Sequence, residues 1–245
     1  GGPCYAWAYK ELAESPRPDL FIILGTAHHP TTHPFILTRK KFETPLGVTD
    51  TAADIIDALA KKASFDPFQD EILHKSEHTI EFQAVFLRYL FRASAHYRIL
   101  PVLCGSLHDV VGDDLPAGQK PRAAAFITAL REAVEESGCT PCYIASADLA
   151  HVGRRFGASA APSPADLHDL ELRDRAMLSR AERIDAEGFI DFDRREGGRR
   201  NVCGLPPIYA LLKAMDAREG KLLDYRQSVE PDSGSAVTFA SMVFR

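Results

Sequence analysis

The sequence lacks any apolar run near the roughly 18 residues that a membrane-spanning helix requires. That absence predicts a soluble protein with no membrane partner. It also lacks a charge excess of one sign: 29 Lys and Arg stand against 34 Asp and Glu, a formal net charge of −5. The two signs are interspersed, which argues against a dedicated nucleic-acid or anionic-membrane surface. One short basic cluster, Arg194-Arg195 and Arg199-Arg200, is offset by Asp191, Asp193 and Glu196 and reads as a solvated loop. Cysteine is sparse, with five in 245 residues. Cys4, Cys104, Cys139, Cys142 and Cys203 make an odd set, which excludes a disulfide framework and points to a reducing cytoplasm.

Several chemical signatures are absent as well. There is no GxGxxG, P-loop or HExxH, and no GxSxG elbow that would make Ser146, Asp148 and His151 a hydrolase triad. Cys139-Thr-Pro-Cys142 has CxxC spacing, but no second Cys or His pair completes a zinc knuckle, so Cys142 is expected as a buried strand residue. No internal repeat, low-complexity segment or signal peptide is visible. The chain opens at Gly1-Gly2-Pro3-Cys4 without an initiator Met, so an N-terminal segment is expected to precede it.

What is present is an alternation of helical and strand-like stretches. Helices are expected at about 4–14, 78–93, 122–137, 166–181, 184–194 and 206–217, with another capped by Thr49 or Asp50 and running to about Lys62. Strands are expected at 19–25, 35–38, 98–105, 141–147, 222–229 and 235–244, the last two as an antiparallel pair. Residues 19–25 are continuously apolar, as in a strand buried on both faces. Stretch 78–93 carries so wide an apolar face that a nearly buried helix is predicted. The order predicts one α/β domain over 1–245, with a mixed, mostly parallel sheet and helices on both faces.

Three histidines sit where ligands gather in open α/β sheets, beyond the carboxyl ends of strands or at a helix start. His28 follows strand 19–25, His151 follows strand 141–147, and His78 opens the helix at 78. Imidazole is the commonest protein metal ligand and pairs with carboxylate or thiolate. Asp148 lies three residues before His151, and Glu81 three after His78. Cys203 precedes a helix, where the dipole favours a thiolate. The plainer readings are that each histidine is a turn or cap residue, that Glu77 caps the helix, and that Glu81 pairs with a cation. His29 has no assigned chemistry, and His33, His74, His96, His108 and His168 read as surface.

The ordered set Leu24-Gly-Thr-Ala-His-His29, Thr44-Pro-Leu-Gly47, Glu77-His-Thr-Ile-Glu81, Pro101-Val-Leu-Cys-Gly105, Ser146-Ala-Asp-Leu-Ala-His151 and Cys203-Gly-Leu-Pro-Pro-Ile208 resembles the Memo-like family. Its bacterial and archaeal members are called AmmeMemoRadiSam system protein B. The resemblance runs through most of the chain. It implies a fold similar to class III extradiol ring-cleaving dioxygenases, which use non-haem iron. It further implies a pocket of three histidines, an aspartate and a cysteine, matching His28, His78, His151, Asp148 and Cys203. A eukaryotic member is linked to cell motility, phosphotyrosine-peptide binding, and copper or iron binding with redox activity. The family usually carries proline at the position of Thr26, so the turn before His28 is expected to differ in shape. It also has a Pro-His-Ala-Gly-Tyr segment near its start, and this chain begins just after where that segment is expected to lie.

Three functions follow from the resemblance and the residues together. The first is an iron- or copper-dependent redox enzyme, dioxygenase-like, with His28, His78, His151 and Cys203 as metal ligands and Asp148 orienting an imidazole or acting as a base. The second is a non-catalytic protein that keeps the pocket to bind metal or a peptide. The third is a zinc-dependent hydrolase. Residue types alone name neither the small-molecule or peptide partner nor the oligomeric state.

Overall fold

The computed structural model describes residues 1–91, 96–105 and 122–245. Within them the protein is a mixed α/β structure with a mixed, mostly parallel sheet. His108 lies outside the described residues. No described helix is long and apolar enough to cross a membrane. The chain divides into two compact units, one of Pro16–Ser146 with Pro206–Met215, the other of Gly1–Ser15, Ala147–Leu205 and Asp216–Arg245.

The first unit is built on a four-stranded sheet of β1 (Leu20–Thr26), β2 (Phe35–Leu37), β5 (Arg98–Cys104) and β6 (Pro141–Ser146), in the order β2-β5-β1-β6. β5, β1 and β6 are parallel, and β2 is antiparallel on β5. Every residue of β1 is buried. Successive side chains of a strand point to opposite faces, so both faces of the sheet are covered at β1. The register Gly25 to Ser146 and Thr26 to Cys104 brings the carboxyl ends of the three parallel strands level.

Two short strands escape hydrophobic periodicity: β3 (Phe42–Thr44) and β4 (Gly47–Thr49), joined through the turn at Pro45-Leu46. Thr49 is therefore a strand residue and Asp50 pairs with Lys41 at 2.7 Å. Neither caps the next helix, α2 (Ala53–Lys62), which has Ala52 at its N-cap and no side-chain cap. α3 (Thr79–Phe91) buries only the stripe Thr79, Ile80, Gln83, Ala84 and Leu87. Phe82 and Tyr89 are 48% and 58% exposed, so α3 is half-buried and its apolar width overstates its burial. α3 lies against β1, β5, β6 and the β3–β4 hairpin, and α4 (Arg122–Glu136) packs with α2. Gly138 takes a φ of 66° just after α4, as a helix-terminating glycine does.

The second unit holds the antiparallel sheet β7-β9-β8, with β7 (His151–Gly153), β8 (Gly220–Glu230) and β9 (Ser235–Phe244). α1 (Gly2–Glu14) packs on β8 and β9, and α5 (Pro164–Glu182) packs on β8 and on α6 (Ala186–Arg195). Ser163 and Asp166 form a capping box that starts α5. α7 (Leu205–Ala214) begins with Pro206 and Pro207 in its first turn. The basic stretch at 199–200 is not a solvated loop throughout. Arg200 is buried, paired with Asp174 and with Glu196.

Candidate metal site

The first unit brings His28 and His78 together through the packing of α3 on β1. Gly25 has no side chain, and the space a Cβ would occupy is 2.4 Å from Thr79 Oγ1. That hydroxyl donates to the Thr26 carbonyl at 3.1 Å, and Gln83 Nε2 donates to Ser146 Oγ at 2.8 Å. The start of α3 is thereby pinned against the ends of β1 and β6. His78 immediately precedes α3 and His28 lies two residues past β1, so the two imidazoles meet. Their rings stack with centroids 5.3 Å apart and planes 11° from parallel. Phe82, one helical turn on, sets its ring 5.3 Å from that of His78. Thr26, where the family usually has proline, ends β1 as a buried residue.

Glu77 completes the group. Its carboxylate accepts from the His28 backbone N–H at 2.6 Å and from the His28 ring Nδ1 at 2.8 Å. Among the described residues, the group of three metal-ligating side chains whose donor atoms lie within 4.8 Å of one another is His28, Glu77 and His78. Two imidazoles with a carboxylate beside them suit a transition metal, the carboxylate serving either as ligand or as support for an imidazole. Sequence reasoning had Glu77 only as a helix cap. Its hydrogen bonds run to His28, 49 residues upstream. Glu81 is exposed and stands outside the group.

Asp148, His151 and Cys203 belong to the second unit, where backbone pairing draws two segments side by side. His151 N–H donates to the Arg200 carbonyl at 2.7 Å, and Asn201 Nδ2 donates to the His151 carbonyl at 3.1 Å. A Cβ on Gly204 would lie 2.2 Å from the Asp148 carbonyl oxygen, so only glycine permits this approach. Cys203 Sγ lies 3.9 Å from that same oxygen. His151 Nδ1 donates to the Leu149 carbonyl at 3.1 Å, and its ring meets Phe156 edge-on at 5.0 Å. These three side chains do not by themselves close into a group with mutually near donor atoms.

The remaining histidines and cysteines divide plainly. His29, His96 and His168 are exposed. His33 is half-buried, bonded to Gln69 at 2.9 Å and stacked on Phe65. His74 is not a surface residue in its charge behaviour: burial pushes its pKa down to about 4. Its Nε2 donates to the Ile36 carbonyl at 3.1 Å. None of the five cysteines is in a disulfide. Cys142 lies on β6, half-buried rather than fully buried, and desolvation pushes its thiol up to about 12, which suits a structural residue rather than a ligand.

Comparison with known proteins places the chain among relatives of one family. A family profile described as Memo-like protein matches residues 1–243. The chain is 28% identical over 245 residues to a MEMO1 family protein of Aquifex aeolicus, covering 98% of this chain and 59% of that protein. It is 32% identical over 251 residues to a MEMO1 family protein of Methanopyrus kandleri, covering 100% of this chain and 78% of that one. A MEMO1 family protein of Thermococcus kodakarensis is 28% identical over 246 residues, with 97% and 80% covered. The chain thus spans little more than half the length of the Aquifex protein.

Proposed function

Since the chain belongs to the Memo-like protein family, we propose that it binds a redox-active transition metal, iron or copper, through the imidazoles of His28 and His78, and serves as a metal-dependent oxidoreductase. The observation that carries this reading is the group His28, Glu77 and His78, with donor atoms within 4.8 Å. A metal bound there supplies Lewis-acid and redox chemistry. The chain's own residues do the holding. Glu77 fixes the His28 ring, stacking aligns His78 with it, and the Phe82 ring lies 5.3 Å from that of His78. For His151, Asp148 and Cys203 the family resemblance supplies the role: a third imidazole, a carboxylate and a thiolate, the last favouring a softer metal. Five cysteines without a disulfide fit a reducing compartment such as the cytoplasm.

The test is anaerobic purification, reconstitution with ferrous or cuprous ion, and elemental analysis. The wild type should take up one equivalent, and His28→Ala and His78→Ala should lose it. His151→Ala and Cys203→Ser, run in parallel, report whether those residues contribute. If His28→Ala and His78→Ala bind with unchanged affinity and stoichiometry, the metal reading is wrong. Metal-dependent oxygen uptake with a panel of catechols and thiols, lost in His78→Ala, supports the oxidoreductase. A loaded protein inert across the panel reduces the reading to metal binding alone.

A further inference from the structure

Glu77 is a buried carboxylate that pairs with no Lys or Arg among the described residues. It is 4% exposed, and its ion-pair partner among the described residues is the His28 ring. A buried carboxylate charge is costly unless hydrogen bonds and a nearby positive charge offset it. Here both oxygens are committed to one residue, Oε1 to the His28 backbone N–H and Oε2 to Nδ1. An ionised carboxylate only accepts. The proton of the His28 ring therefore sits on Nδ1, and a neutral ring keeps its lone pair on Nε2. The backbone bond anchors the chain at His28, the ring bond sets its tautomer, and the stack on His78 sets its plane. The negative charge left behind the ring favours a cation in front of it.

We infer that Glu77 is a positioning residue that holds His28 in its Nδ1–H tautomer and so presents Nε2 as the metal-binding atom, rather than a cap of α3 or a ligand in its own right. The metal half of this statement rests on the function proposed above. The tautomer half does not, because it is a property of the metal-free protein. A carboxylate behind a ligating imidazole orients the ring and makes the free nitrogen more basic, and its loss typically costs tenfold to a hundredfold in metal affinity, to order of magnitude.

Substituting Glu77→Gln preserves the shape but replaces one acceptor oxygen with an NH2 donor. With the amide oxygen still on the backbone N–H, that NH2 faces Nδ1, and the proton moves to Nε2. Long-range proton–nitrogen spectra of metal-free, nitrogen-15-labelled protein at mildly alkaline pH read this directly, with His28 assigned by its loss in His28→Gln. The wild type should show a protonated Nδ1 and a bare Nε2. Glu77→Gln should shift His28 toward the opposite tautomer and weaken ferrous-ion binding roughly tenfold to a hundredfold. Glu77→Asp should restore much of the wild-type tautomer and part of the affinity. The His33 ring, in the same unit as Glu77 and bonded to Gln69, should keep its signals in every variant and so reports intact folding. If Glu77→Gln does not fold, Glu77→Asp and the wild-type spectrum still decide the question. A wild type with the proton on Nε2, or a folded Glu77→Gln with an unchanged His28 tautomer, overturns the positioning role. A switched tautomer with undiminished metal affinity overturns the assignment of Nε2 as the ligand atom. A wild type with the predicted tautomer that takes up no ferrous ion refutes the metal reading and leaves the positioning role standing.

Discussion

Arg200 pairs with Asp174 inside the second unit, with the arginine 5% and the aspartate 0% exposed. The other Asp174 oxygen accepts from Tyr225 at 2.9 Å and from Thr238 at 2.6 Å. Thr238 in turn holds the chain that leads into His151: its carbonyl accepts the Leu149 N–H at 2.8 Å and its hydroxyl accepts the Ala150 N–H at 2.9 Å. The Arg200 carbonyl takes the His151 N–H. The buried pair thus anchors both segments that carry Asp148, His151 and Cys203.

Removing one partner of such a pair leaves an uncompensated buried charge, whereas removing both is tolerated. Arg200→Met should therefore destabilise the protein by about 3–5 kcal/mol. The double change Arg200→Met with Asp174→Asn, which removes the orphaned charge and keeps an oxygen for Tyr225 and Thr238, should recover part of that. Urea denaturation of the three proteins checks it. A loss no larger than the roughly 1 kcal/mol of a surface ion pair would show that the burial is energetically unimportant.

That pair also shows where reading the residues in order stops. Strands β1, β5 and β6 were legible because each is a continuous apolar run, and local composition is enough to see one. Arg200 looked solvated because its neighbours in sequence are charged. Its real partner, Asp174, lies 26 residues away on a helix. Glu77 was visible beside His78, yet its role depends on His28, 49 residues upstream. α3 misled in the other direction. Its aromatics satisfied helical periodicity on a wide arc, but periodicity cannot say that Phe82 and Tyr89 face outward. The β3–β4 hairpin has three residues per strand, too few for any period to register.

Gly25 should prove as important to the site as the histidines themselves. A methyl group there falls 2.4 Å from Thr79 Oγ1 and 3.1 Å from Thr79 Cβ, atoms of a short, stiff side chain that cannot swing away. Gly25→Ala should push α3 from β1, costing about 1–3 kcal/mol, and part His78 from His28. Metal uptake should fall even where the protein remains folded. Adding Thr79→Ala, which removes the clashing oxygen at the cost of its bond to the Thr26 carbonyl, should restore some of both. Wild-type metal affinity in Gly25→Ala would show that the β1–α3 contact does not set the site.

His74 gives a pH dependence whose sign is fixed by burial. Its pKa lies at about 4 against an ordinary 6.5, with burial the main cause and the nearby Glu71 and Glu77 opposing it. The ring is therefore neutral in the folded protein at pH values where the unfolded chain already binds a proton. A group with a depressed cationic pKa favours folding above its unfolded pKa, and that contribution is lost as pH falls from about 6.5 toward about 4. At about 1.4 kcal/mol per pKa unit the full loss is on the order of 3 kcal/mol. His74→Gln keeps a donor for the Ile36 carbonyl and removes the titration. Urea denaturation at neutral pH and near pH 5 should show the wild type losing more stability than His74→Gln. Equal losses in the two proteins would mean that His74 is hydrated enough to titrate normally.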